Sequence, residues 1–178
     1  KIKENLPKKV DILISEILAA EFVGEGVRET IKDAKNRLLK ENGLIIPQAG
    51  EIKFALINDE KFLKDKAFVD RVYGFDLSEF NNITTKKLSI HFNKQPKFLS
   101  NPKVAFKIDL TKETILEKKD EFVEIPIIDD GMSLGIVQWL KVKILDNIYY
   151  ENTPGLVHSH WPTPIFMFNK PIKVTKGE

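Results

Sequence analysis

Glu16 and Glu25 are the residues of this sequence best placed to do chemistry. They stand nine positions apart in Asp11-Ile-Leu-Ile-Ser-Glu16-Ile-Leu-Ala-Ala-Glu-Phe-Val-Gly-Glu25-Gly26. The first follows Val10 to Ile14, a short apolar run of the kind a buried strand shows. The second lies between Gly24 and Gly26, which let the backbone turn back so that Glu25 faces Glu16 across a loop. Paired carboxylates have two chemical uses. They act as an acid and base pair, as in glycoside hydrolysis, or they grip a cation through charge-assisted hydrogen bonds. In a chain with 26 acidic residues such a pair would, by spacing alone, be solvated surface. Its glycine-flanked place after an apolar run singles it out.

Other candidates are weaker. His158 and His160 could share one side of a strand as metal ligands, but no third ligand is evident, so no metal site is expected. His160 beside Trp161 reads on its own as a packed pair in a turn, Trp139 as core, and His91 as a strand residue without a catalytic role.

The elements that must position the glutamates are bounded by composition. With 178 residues and 42% hydrophobic content, the chain can bury a core as one domain, or as one domain and a piece of another. A formal net charge of +2, from 28 basic and 26 acidic residues, carries no nucleic-acid footprint. The absence of cysteine excludes disulfides and thiolate sites and suits a cytoplasmic protein. No apolar run approaches the ~20 residues of a membrane helix, and no secretory signal is present. The chain begins at Lys1 and runs at once into a strand-like element, which reads as a fragment.

Val27, Ile31, Ala34 and Leu38 recur at helical spacing, and Gly43 is the expected helix stop. Leu44 to Pro47 and the alternating Ile52, Phe54 and Leu56 then read as strands. Asn58 to Phe80 breaks the β pattern with one or two short helices, closed by Tyr73-Gly-Phe-Asp76. Leu88 to Phe92, Val104 to Leu110, Phe122 to Ile128, Leu134 to Ile144 and Ile165 to Phe168 are further strand candidates. Turns at Asp129-Asp-Gly131 and Thr153-Pro-Gly155 separate them. The expected class is α+β, mainly β: an antiparallel β-barrel-like domain with a helical arm, preceded by the last strand and helix of an α/β domain.

These residues resemble the catalytic core of the protein arginine methyltransferases, over nearly the whole chain. Glu16 and Glu25 match the spacing of that family's double-glutamate loop. Leu38-Leu39 and Asn42-Gly43-Leu-Ile-Ile-Pro47 resemble its lead into the barrel, and Val72-Tyr-Gly-Phe-Asp76-Leu-Ser78 the segment closing its dimerisation arm. Val137 to Ile144 around Trp139 resembles a barrel strand, and Ser159-His160-Trp161 the Thr-His-Trp loop. The wording Glu21-Phe-Val-Gly-Glu25-Gly26 is closest to the monomethylating branch. Two departures stand out. Ser159 replaces Thr, and Pro162-Thr163-Pro164 follows where many members carry a Lys-Gln pair.

The resemblance implies transfer of a methyl group from S-adenosylmethionine to the arginine guanidinium of a protein or peptide. Glu16 and Glu25 would hold the guanidinium, with Ser159, His160 and Trp161 supporting the active site and His160 meeting an acidic partner on an upstream helix. It divides the chain into residues 1–43, a remnant of a Rossmann-type donor-binding domain, and residues 44–178, a substrate-binding barrel with a dimerisation arm at about 58–80. Dimerisation of two like chains through that arm is implied, and neither nucleic acid nor membrane is an expected partner. The glycine-rich donor-binding fingerprint does not occur here and is expected upstream of Lys1, so the piece alone should be inactive. The alternatives are a non-catalytic β-barrel binding module and, last, a hydrolase using the pair as acid and base. The hydrolase would need sugar-stacking aromatics nearby, for which only Phe22 and, at distance, Trp161 qualify.

Overall fold

A computed structural model describes residues 7–58, 67–112, 122–155 and 159–178. It begins with β1 (Val10–Ile14), a loop, α1 (Val27–Arg37) and β2 (Leu39–Ile46), with β1 and β2 paired in parallel. A parallel pair needs a crossover connection, and α1 supplies it. Val27, Ile31 and Ala34 are buried along one face of α1, while Arg37 grips Asp33 one turn back at 2.7 Å. Burial of each larger apolar side chain on that face contributes roughly 1.5–3 kcal/mol.

The helix stops earlier than its sequence suggests. Its last residue is Arg37, capped by Leu38 N–H donating to the Ala34 carbonyl. Gly43, the expected stop, lies inside β2 instead. The reason is that Leu38 and Leu39 are both buried, and Leu39 already pairs with Val10. Gly43 is needed there for space: a β-carbon on it would lie 2.5 Å from Leu39 Cδ1 and 3.1 Å from the Asp11 carbonyl oxygen. The next pair is Ile12 with Leu44, so β2 bulges between the two pairs.

The remaining strands are β3 (Ala49–Ile57), β4 (Arg71–Val72), β5 (Phe75–Asp76), β6 (Lys87–Ile90), β7 (Lys103–Asp109), β8 (Gly131–Leu145), β9 (Ile148–Glu151) and β10 (Thr163–Val174). Six of them form a sheet in the order β6-β10-β8-β3-β7, with β9 added to β8; β6, β8, β9 and β10 pair antiparallel. The barrel-like domain is thus an open sheet among the described residues, and the chain is of the expected α+β, mainly β class. No helix among them is long and apolar enough to cross a membrane.

Two segments depart from the sequence pattern. Phe122 to Ile128 forms no strand, only a bridge from Ile127 to Ser100. Pro126 has no N–H to donate, and the surrounding backbone bonds to Leu99, Asn101 and the C-terminal Glu178. The arm region falls partly on residues 59–66, outside the described residues. From Arg71 to Asn82 it is the β4–β5 hairpin and a 3-10 turn at Ser78–Asn82. The hairpin turns through Tyr73 and Gly74, both at positive φ (51° and 86°), the backbone that a two-residue hairpin loop requires.

The chain divides into two compact units. The first comprises residues 1–53, 104–123 and 139–153, the second 54–103, 124–138 and 154–178. The first buries Leu18, Phe22, the apolar face of α1, Ile45, Ile52, Ile108, Trp139 and Val142. Within it Glu151 accepts hydrogen bonds from Trp139 Nε1 at 2.9 Å and from Lys53 Nζ at 2.6 Å. The buried Asn152 carboxamide accepts from Leu140 N–H at 2.8 Å, extending the β8–β9 pairing by one residue. The second unit buries Leu99, Ile127 and Val174, with Leu56 packed against them.

Candidate active site

Glu16 and Glu25 sit in one connection, the loop from β1 to α1 in the first unit. Glu16 lies just past the carboxyl end of β1, where Ser15 N–H still donates to the Ile46 carbonyl at 2.9 Å. Glu25 lies in a 3-10 turn, Gly24–Gly26, immediately before α1. Both glutamates are exposed. In a parallel α/β arrangement, the loops beyond the carboxyl ends of strands are where ligands bind.

The loop between the glutamates is anchored by its apolar residues. Leu18 and Phe22 are buried, and Phe22 N–H donates to the Ala19 carbonyl at 2.8 Å, closing a tight turn. Val23 N–H donates to the Glu21 carbonyl at 2.8 Å. Glu25 and Gly26 then take positive φ (58° and 72°), and Val27, fully buried, starts the helix. The chain therefore alternates buried anchors with exposed carboxylates. The glutamates stand out in the sequence, whereas the anchoring role of Phe22 does not. The one aromatic residue in a loop whose other apolar residues are aliphatic was the available signal, since its side chain needs a place in the core. Its full burial also removes it as a stacking surface, which counts against the hydrolase alternative.

Ser159, His160 and Trp161 lie together in a turn of the second unit, ahead of β10. Trp161 N–H donates to Ser159 Oγ at 3.1 Å, and the His160 and Trp161 rings lie 4.8 Å apart at 45°. His160 is exposed and Trp161 half-buried. His158 lies outside the described residues. Trp139 is core, as its pattern indicated, at 1% exposure, and His91 lies just beyond the end of β6.

Among the described residues no cluster of three metal-ligating side chains occurs. A cavity of about 400 Å³ opens in the first unit among Gly50, Glu51, Lys107, Asp109, Lys141 and Lys143. Neither Glu16 nor Glu25 lines it. Lys107 stands 3.9 Å from Glu51 and Lys112 stands 3.9 Å from Asp109, so it is a mixed-charge surface.

Known proteins of similar sequence and structure supply the remaining context. Residues 48–178 match the arginine methyltransferase oligomerization subdomain. Among curated relatives, an arginine N(omega)-methyltransferase of Streptomyces achromogenes subsp. streptozoticus is 28% identical, over 95% of this chain and 47% of its own. Protein arginine N-methyltransferase 1 of Dictyostelium discoideum is 24% identical over 96% of this chain and 51% of its own. The human protein arginine N-methyltransferase 2 is 28% identical over 97% and 43%. The chain thus spans about half the length of these relatives. The solved Trypanosoma brucei PRMT1 enzyme-prozyme heterotetrameric complex with AdoHcy includes a chain of the same fold. Its TM-score is 0.81 at 19% identity, over 99% of this chain and 57% of that one. This chain belongs to the protein arginine methyltransferase family, and residues 48–178 are its oligomerization subdomain.

Proposed function

We propose that this chain holds the arginine side chain of a protein substrate for methyl transfer from S-adenosylmethionine, with Glu16 and Glu25 as the residues that touch the guanidinium. The observation that carries the reading is their common loop: both lie exposed in the connection beyond the carboxyl end of β1, on a chain of the arginine methyltransferase family. A guanidinium stays protonated at physiological pH and is a poor nucleophile. Two carboxylates match its planar fork with charge-assisted hydrogen bonds and orient one terminal nitrogen. They also draw positive charge toward the bonded nitrogens and leave electron density on the one that reacts. When bound, the donor supplies an electrophilic sulfonium methyl. The chain's nine glycines include no glycine-rich turn of the dinucleotide type, so we assign the donor's site to the part of the relatives that this chain does not span. In-line displacement depends on positioning, and positioning is what the loop supplies. Ser159, His160 and Trp161 are assigned to active-site support by family resemblance.

Assembly is the second part of the proposal. The β4–β5 hairpin and the turn after it expose Tyr73 (98%), Phe75 (72%) and Ile83 (80%), in a matched subdomain whose family role is oligomerization. Exposed apolar residues in such a cluster fit a partner surface, and we assign that surface to a second copy of the full-length protein.

The test is methyl incorporation into matched arginine and lysine peptides by the full-length protein and its Glu16→Gln and Glu25→Gln variants. Each contact to a charged group contributes roughly 1.5–3 kcal/mol, so each variant should lose about one to two decades of rate with donor affinity little changed. The two losses should not add, because both residues act on one planar group. The lysine peptide should be a poor substrate, since a compact ammonium cannot engage the fork geometry. Near-normal activity in both single variants would leave the alternative of a non-catalytic binding module.

A further inference from the structure

The loop that carries Glu25 has a backbone that needs an outside cause. Phe22 (φ 65°) and Glu25 (φ 58°) both lie in the left-handed region, which is uncommon for residues with a β-carbon and unfavourable for a bulky one. No side-chain cap holds the 3-10 turn or the start of α1. Such a conformation persists only where the surroundings determine it.

The surroundings that determine it lie on β3. The Phe22 ring is 0% exposed, and it rests directly on the bare backbone of Gly50. A β-carbon built at Gly50 would lie 2.7 Å from Phe22 Cζ and 2.8 Å from Cδ2, and would overlap Cε2. Gly50 is not at positive φ, so its backbone conformation does not demand glycine. A glycine within a strand weakens it and often marks close approach by another group. Here the approaching group is the Phe22 ring. The loop is closed from the inside as well, because a β-carbon on Gly24 would lie 2.6 Å from Ala19 Cβ.

We infer that Phe22 and Gly50 are positioning residues: the ring seated on the bare strand fixes the loop, and the loop fixes where the Glu25 carboxylate stands three residues on. This inference rests on the proposed role of Glu25 in holding the guanidinium.

Four variants of the full-length protein test it: Gly50→Ala, Phe22→Leu, the two combined, and Glu25→Gln. Gly50→Ala pushes the ring out and should lower kcat on an arginine peptide by roughly 10- to 100-fold, the scale of a displacement near 1 Å, while donor affinity stays unchanged. Phe22→Leu shortens the side chain and makes room for the new methyl, so in the combined variant most of the lost kcat should return. The rescue assigns the clash to the Phe22 ring. A merely structural glycine would instead lower unfolding stability and donor affinity together with kcat, so a kcat loss with both of these unchanged marks a positioning role. If Gly50→Ala does not fold, Phe22→Leu alone leaves β3 untouched and should still lower kcat more than it raises KM. Loss of activity in Glu25→Gln with none in Gly50→Ala or Phe22→Leu overturns this inference and leaves the guanidinium reading standing. Full activity in Glu25→Gln overturns that reading itself. Failure of the combined variant to recover also overturns the positioning role.

Discussion

Two carboxylates of the first unit are held in opposite ways. Glu151, on β9, receives Trp139 Nε1 and Lys53 Nζ on a single oxygen, at 2.9 and 2.6 Å. Burial pushes its carboxyl up. The hydrogen bonds from Lys53 and Trp139, with the charges of Lys53 and Lys141, outweigh that and hold it below the ordinary carboxylate value. Glu25, by contrast, stands exposed on a left-handed turn whose support comes from apolar neighbours. The difference separates two uses of one functional group. A carboxylate that fastens strands is neutralised by fixed donors, and its geometry is set by its own bonds. A carboxylate proposed to meet a mobile cation has to remain accessible, so its geometry must be set by the backbone beneath it.

The largest effect that would test this contrast is on stability. Trp139→Ala removes a fully buried ring together with the donor to Glu151, and should cost about 3–5 kcal/mol in denaturant unfolding. Glu25→Gln, on an exposed turn, should change the same quantity by no more than ~0.5 kcal/mol while losing activity. Equal stability losses for the two would dissolve the distinction.

A smaller effect sharpens it through pH. Because the Glu151 carboxyl is lowered in the folded state, its contribution is complete above the unfolded value, roughly 4.3. It is lost as pH falls through the lowered folded value. Unfolding free energies measured from pH 7 down to pH 3 should therefore fall less steeply below about pH 4.3 in Glu151→Gln than in the wild type. Parallel curves would show that this carboxylate does not stabilise the fold through its charge.

The smallest stability effect belongs to the arm. Serine at both Tyr73 and Phe75 removes two exposed aromatics and should shift unfolding by within ~0.5 kcal/mol. Sedimentation of the full-length protein should nevertheless show weaker self-association. An unchanged association constant would remove the hairpin from the interface.

How much of this was legible in the sequence depends on the range of the cause. The face of α1 was readable because Val27, Ile31 and Ala34 repeat locally, and all three are buried. Its end was not, because Gly43 answers to Leu39 and Asp11 rather than to the helix. β9 has four residues with its first two exposed, so it carries no alternation to read. The glutamate loop announced itself through its flanking glycines. Its support did not, since Phe22 meets Gly50 across a separation that no local pattern encodes. On β3 the inward positions change phase as well: Ile52 is buried, then Ala55 and Ile57. Strict alternation through Phe54 and Leu56 therefore misses the inward set beyond Ile52.

The bulge in β2 has a consequence for engineering. β1 advances from Val10 to Ile12 while β2 advances from Leu39 to Leu44, so Lys40, Glu41 and Asn42 project from the pairing and are exposed. Pairing resumes in step at Leu44, and the ladder continues to Ile46 and Ser15. Chain length is therefore decoupled from register at this point. A peptide tag or a fluorophore-bearing residue placed between Glu41 and Asn42 should be absorbed by the projection, giving a reporter close in sequence to the Glu16–Glu25 loop without shifting it.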